Sequence, residues 1–132
     1  MTSKVETMTP DGVMKPIGPY SHIARAGELI MVSATAGVDP DTNELAGPDV
    51  GTQTEQILKS FERMLESAGS DMKHILHIGV FLRDMQDFEA MNEVYARYFG
   101  EIRPARSAVA VNDLPKPGAL VTMNLTAVVS NE

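Results

Sequence analysis

"RPARSAVAV", residues 103–111, decides the fold: after two arginines around Pro104 it settles into the small and β-branched alternation of a strand. "LVTMNLTAVV", residues 120–129, has the same character, and the intervening "NDLPKPGA" carries prolines and a glycine that exclude regular pairing. Two strands therefore close the chain. Upstream, "ILHIGVFLR" (75–83) alternates Leu76, Ile78, Val80 and Leu82 against Ile75, His77, Gly79 and Phe81, a strand with one more apolar face. "LIMVSATAGV" (29–38) is another strand, stopped by the turn-forming "DPDTNE", and a short one lies near "YSHIAR" (20–25).

Two stretches between these strands have helical spacing. From Asp49 onward, Ile57, Phe61, Met64, Leu65 and Ala68 fall on one helix face, with Gly69 placed to end the helix. Phe88, Met91, Tyr95 and either Tyr98 or Phe99 form a second face, ending at Gly100. The order β, β, α, β, α, β, β predicts an α+β fold, and right-handed crossovers place both helices on one face of a mixed sheet.

Strand parity then sorts side chains. Val109, Val111, Val121, Met123, Leu125 and Ala127 are expected beneath the helices. The other face is expected to hold Arg106, Ala108, Ala110, Thr122, Asn124, Thr126, His77, Phe81, Ser33 and Thr35. Such a face is neither a dry core nor a highly charged surface, which predicts a homo-oligomer.

At 132 residues the chain fits a single domain, 1–132, with residues 1–15 expected as a flexible N-terminal segment. No apolar run approaches the roughly 20 residues of a membrane span, and the opening residues lack the order of a secretory signal, so no membrane association and a cytoplasmic location are expected. The absence of cysteine excludes disulfides, thiolate nucleophiles and cysteine metal sites. A net charge of −7 without a basic cluster argues against nucleic-acid binding.

Arg106 cannot deprotonate at working pH, and its planar fork matches a carboxylate in two parallel hydrogen bonds. It is either the fixed cation of an anionic-substrate site or a structural arginine paired with an acid of a neighbouring subunit. Pro104 restricts the entry to its strand. Tyr20, after a Gly-Pro turn, either packs or closes a pocket over a flat ligand. Asn92 lies one position from the apolar stripe of the second helix. His74 and His77 are three apart, a spacing that in a strand sends them to opposite faces and argues against a shared metal. No Ser-His-Asp order and no glycine-rich phosphate loop is present, so no cofactor is expected. Met64, Met91 and Met123 sit at core spacing.

Taken together, "IGPYSHIARAGELIMVSA" (17–34), "VFLRDMQDFEAMNEVYARYF" (80–99) and "RPARSAVAVNDLP" (103–115) resemble the RidA/YjgF family (reactive intermediate or imine deaminase A) along nearly the whole chain. The resemblance implies a chorismate-mutase-like fold of the bacillus type, assembled as a homotrimer with a ligand cleft at each subunit interface. It places the family's carboxylate-gripping arginine on Arg106, its pocket tyrosine on Tyr20, its pocket serine on Ser33 and its helix asparagine on Asn92. The backbone N–H of Ala108 corresponds to the amide that shares the carboxylate. The family's usual glutamate in the last strand is replaced by Thr122, Asn112 stands where a small or basic residue is common, and Ala34 where glycine is frequent.

The implied function is hydrolytic deamination of carboxylate-bearing enamines or imines to 2-oxo acids and ammonia. Arg106 would anchor the substrate and Thr122 would stand where a glutamate normally moves protons. The alternatives are a pathway-specific deaminase of a larger enamine and a non-catalytic binder of small carboxylates, which the loss of the titrating group at Thr122 favours. A ribonuclease or translation inhibitor, also attached to parts of the family, is disfavoured by the acidic charge and the lack of a His or Lys constellation.

Overall fold

A two-residue turn starts the main sheet. Gly27 takes φ 60 between Ala26 and Leu29, the sign that the first central residue of a type II′ turn requires, and joins β2 (Ile23–Ala26) to β3 (Leu29–Ala36). The computed structural model describes residues 4–130. Its elements are β1 (Val5–Met8), β2, β3, the hairpin β4 (Val38–Asp39) and β5 (Glu44–Leu45), α1 (Val50–Ser67), β6 (Ile75–Leu82), α2 (Phe88–Phe99), β7 (Ala105–Ala110) and β8 (Val121–Val128). The six-stranded sheet runs β1-β2-β3-β8-β6-β7 and is antiparallel except for β6 and β7. The architecture is the α+β one expected, with β1 and the β4–β5 hairpin added. Among the described residues no helix is long and apolar enough to cross a membrane.

Asp49 caps α1, its carboxylate accepting from the Thr52 N–H at 2.9 Å. Gly69 at φ 83 follows its end. The helical periodicity holds: Ile57, Phe61, Met64 and Leu65 are fully buried and Ala68 nearly so. On α2 the buried residues are Met91, Tyr95 and Phe99, with Phe88 and Tyr98 packed partly buried against them. Both helices share one core with Ile78, Val80, Leu82, Val121, Met123, Leu125 and Ala127, so they cover the same sheet face.

Four expectations need correction. The segment 1–15 is not uniformly loose, since residues 5–8 pair with β2 and both Val13 and Met14 are buried; residues 1–3 lie outside the described residues. At the start of β6 a register shift between Ile75 and His77 turns Ile75 inward and leaves Leu76 49% exposed, reversing the simple alternation. A second shift, between Val32 and Thr35, brings Thr35 opposite Met123 on the helix face rather than the open one.

The largest correction concerns β7. Arg106, Ala108 and Ala110 stand opposite Ile78, Val80 and Leu82, all buried beneath the helices, so these three face the helix side. Val109, opposite Phe81, is on the open face and 46% exposed, and Val111 lies beyond the strand end. The valines misled because β7 is the last strand of the sheet, where the helix-side neighbours are polar and aromatic. His77, Phe81, Asn124 and Thr126 do lie on the open face, where the Nε2 of His77 is 3.2 Å from the Ser107 hydroxyl.

The tightest joint lies between β3 and β4. A Cβ on Gly37 would collide with the Gln53 carbonyl oxygen and lie 2.7 Å from the Gln53 Cα, both backbone atoms that cannot rotate away. Gly37→Ala is therefore expected to cost roughly 1–3 kcal/mol, read as a lower urea midpoint at unchanged m value. An unchanged midpoint would show that α1 can shift away from this strand.

Candidate functional site

The six residues singled out above fall into two groups. The first gathers at the free edge of the sheet. Arg106 extends beneath α2, where its Nη1 donates to the Asn92 Oδ1 at 2.8 Å. Its guanidinium carbon lies 4.8 Å from the Tyr95 ring centroid and 5.7 Å from that of Phe88. Such cation–π contacts are worth about 0.5–1 kcal/mol at exposed sites and more when desolvated. Burial pushes the Tyr95 phenol above its ordinary pKa, with Arg106 and then Arg103 opposing, so the phenol is neutral at working pH.

Ala108 completes this group through its backbone. The Val111 N–H donates to the Leu82 carbonyl of β6. Strand alternation then directs the Ala108 N–H away from β6, toward the edge on which no further strand of the described residues lies. An arginine held by an amide and two rings, next to an outward N–H, presents donors whose geometry suits a planar two-oxygen anion.

The second group sits on the opposite face. Tyr20, Ser33 and Thr122 line a cleft of about 420 Å³ together with Met14, Ile17 and Lys116. Thr122 faces this cleft because it stands opposite Ala36 and Phe81. The bulge in β3 presents Ser33 and Ala34 to the same space. Ser33 also pins the preceding loop: its hydroxyl donates to the Ser21 carbonyl at 2.7 Å and its N–H to the His22 carbonyl at 2.9 Å.

His22 is fully buried and anchors the other end of that loop. Its Nε2 donates to the Met14 carbonyl at 2.6 Å, and its backbone N–H donates to the Thr9 hydroxyl at 3.2 Å. The Tyr20 ring meets the His22 imidazole edge-on, centroids 5.9 Å apart, and the Tyr20 oxygen accepts from the Ile17 N–H at 3.3 Å. Tyr20 thus both packs and forms a cleft wall.

Strand parity predicts Arg106 and Thr122 on one sheet face; they lie on opposite faces, and the two groups do not meet within one chain. His22, Met14, Ile17 and Lys116 are not among the residues that the sequence pattern singles out. The signal for Lys116 was its place between Pro115 and Pro117, which restricts the backbone that carries it. His74 belongs to a short 3₁₀ turn and pairs with Asp71 at 2.7 Å, apart from His77.

Residues 12–129 match the family model described as Endoribonuclease L-PSP. A RutC family protein of Pyrococcus horikoshii is 43% identical over 111 residues, covering 84% of this chain and 88% of that protein. The chain belongs to the RidA/YjgF family. The 3-aminoacrylate deaminase RutC of Acinetobacter baylyi is 36% identical over 116 residues, covering 88% of this chain and 91% of that protein. The crystal structure of the YjgF gene product from E. coli superposes with a TM-score of 0.87 at 32% identity, over 93% of this chain and 98% of that one. The match to the family takes in both groups of site residues.

Burial holds the His22 pKa below its ordinary value of 6.5, outweighing the opposing effect of the Met14 carbonyl. The folded state therefore resists a proton that the unfolded chain accepts. The stability that neutral His22 carries is complete above about pH 7 and declines as the pH falls through 6.5 toward the lower folded value. Urea unfolding at stepwise pH between about 7.5 and 5.5 should show this decline in the wild type and a flatter profile for His22→Gln. Equal slopes would place the proton uptake elsewhere.

Proposed function

We propose that the protein hydrolyses carboxylate-bearing enamines or their imine tautomers to 2-oxo acids and ammonia, at sites completed between subunits of a homotrimer. The observation that carries this reading is the Arg106 clamp: a guanidinium held by Asn92 and Tyr95 beside the outward Ala108 N–H, at a strand edge on which no strand of the described residues pairs. Among the described residues that line the cleft of Tyr20, Ser33 and Thr122 there is no arginine. Each group supplies what the other lacks, and apposition of two copies would unite them. A relative that bears the name 3-aminoacrylate deaminase, itself a carboxylate substrate, supports the same chemistry.

In this reading Arg106 and the Ala108 N–H hold the substrate carboxylate and the cleft orders the rest of the molecule. Water adds across the C=N bond, its oxygen to carbon and its proton to nitrogen. The resulting carbinolamine collapses to the C=O product and expels ammonia. Thr122 orients the water by hydrogen bonding but does not titrate near neutrality, so protons pass through water and substrate rather than a protein base. Positioning carries the rate.

The same threonine favours a second reading, a carboxylate-binding protein without turnover. The two separate on the hydrolysis of 2-iminopropanoate and 2-iminobutanoate, generated in place by an amino-acid oxidase and followed as loss of semicarbazide-trapped imine. The wild type is expected to be active, Arg106→Ala to lose at least about 100-fold in kcat/KM, and Thr122→Glu to gain, since general acid–base help is typically worth roughly 10²- to 10⁴-fold. Full activity in Arg106→Ala would refute the clamp. An inactive wild type with an active Thr122→Glu would establish the binding reading. Sedimentation should give three times the 14.3 kDa chain mass.

A further inference from the structure

The cleft contains one charged side chain that the function above does not employ. Lys116 is half-buried, and its loop is fixed: Pro115 and Pro117 flank it, its carbonyl accepts from the Ala119 N–H at 3.0 Å, and Gln53 grips the next turn at the Gly118 carbonyl and the Leu120 N–H. Among the described residues Lys116 makes no ion pair. The acid of the same loop, Asp113, is directed elsewhere, with Arg83 at 3.6 Å and the Leu114 N–H at 2.8 Å. Among the described residues no Asp or Glu lines the cleft.

In a chain of net charge −7, this places a local positive charge against the apolar wall of Met14, Ile17 and Tyr20. There the low dielectric strengthens its pull on an anion. Arg106 belongs to the other group and, in the deaminase reading, holds the carboxylate next to the reacting carbon. Lys116 lines the cleft and not the Arg106 group, so it is available to a different part of the substrate. In the single chain the cleft measures about 420 Å³, within the size range of small-molecule sites.

We propose that Lys116 binds a second anionic group and that the preferred substrate is the enamine or imine of a dicarboxylic 2-amino acid. Thr122 fits this assignment. A glutamate there would share the cleft with Lys116, offsetting its charge and repelling a second carboxylate, whereas threonine leaves the ammonium free to attract one. The inference rests on the deaminase reading for turnover, but it concerns a different residue and a different end of the ligand.

The test compares 2-iminoglutarate with 2-iminobutanoate, each generated in place by an oxidase, for the wild type, Lys116→Met and Lys116→Glu. The wild type is expected to show a kcat/KM ratio of about ten or more in favour of 2-iminoglutarate, expressed mainly in KM. Lys116→Met should bring the ratio near one, and Lys116→Glu should invert it. A wild-type ratio near one, or a ratio unmoved by both variants, overturns the assignment while leaving the deaminase intact.

If the wild type turns over neither imine, the deaminase reading fails and Lys116 is judged on the stable products. Thermal unfolding with 2-oxoglutarate and with 2-oxobutanoate should then show the dicarboxylate stabilising the wild type more, with the difference lost in Lys116→Met. Equal shifts for the two acids refute the second anion site.

Discussion

The side-chain amide of Gln53 is the constraint on which the cleft depends. Fully buried in the first turns of α1, it donates from Nε2 to the carbonyls of Gly47 and Gly118 and accepts at Oε1 from the Leu120 N–H. One amide thereby joins backbone groups of the loop before α1 to those of the loop before β8. It reaches them only because Gly37 lets the helix backbone approach to a distance that a Cβ would forbid. The loop so held carries Lys116 into the cleft and delivers β8, with Thr122, at a fixed height against β3 and β6.

A second set of contacts holds the opposite wall. The segment from Val13 to Tyr20 has little regular structure, yet Met14 is nearly fully buried and bonded to His22, while Ser33 ties Ser21 and His22 to β3. A small second core of Met14, Ala36, Val38 and Ala119 joins this segment to the loop that Gln53 holds. The two cleft walls thus share one patch of packing, separate from the main core beneath the helices.

The arginine edge is built on another principle. Arg106 emerges on the helix side of the last strand, where the main core thins out, and its guanidinium is held by one hydrogen bond and two aromatic faces rather than by a carboxylate. Its charge is aimed without being neutralised. That is the condition for binding an anion, because a cation already in a salt bridge must give up one partner to take another. Within the chain, no ion pair of the described residues involves Arg106.

The sequence by itself determined the kinds of element, the buried faces of both helices and the residues that carry the family resemblance. Helical and strand periodicities are local, so Ile57, Phe61, Met91 and Tyr95 reveal their faces without any partner. The Gly-Pro-Tyr-Ser, Asp-Phe-Glu-Ala-Met and Pro-Ala-Arg-Ser stretches are likewise contiguous. Only the tertiary structure decided which face Arg106 takes, that Thr35 turns inward, that Thr122 lies across the sheet from the arginine, and that Lys116 enters the cleft. Each follows from something no window of sequence contains: a bulge that shifts register, a strand whose edge position leaves Val109 exposed, or a loop held by a glutamine 65 and 67 residues away in the chain from the groups it bonds.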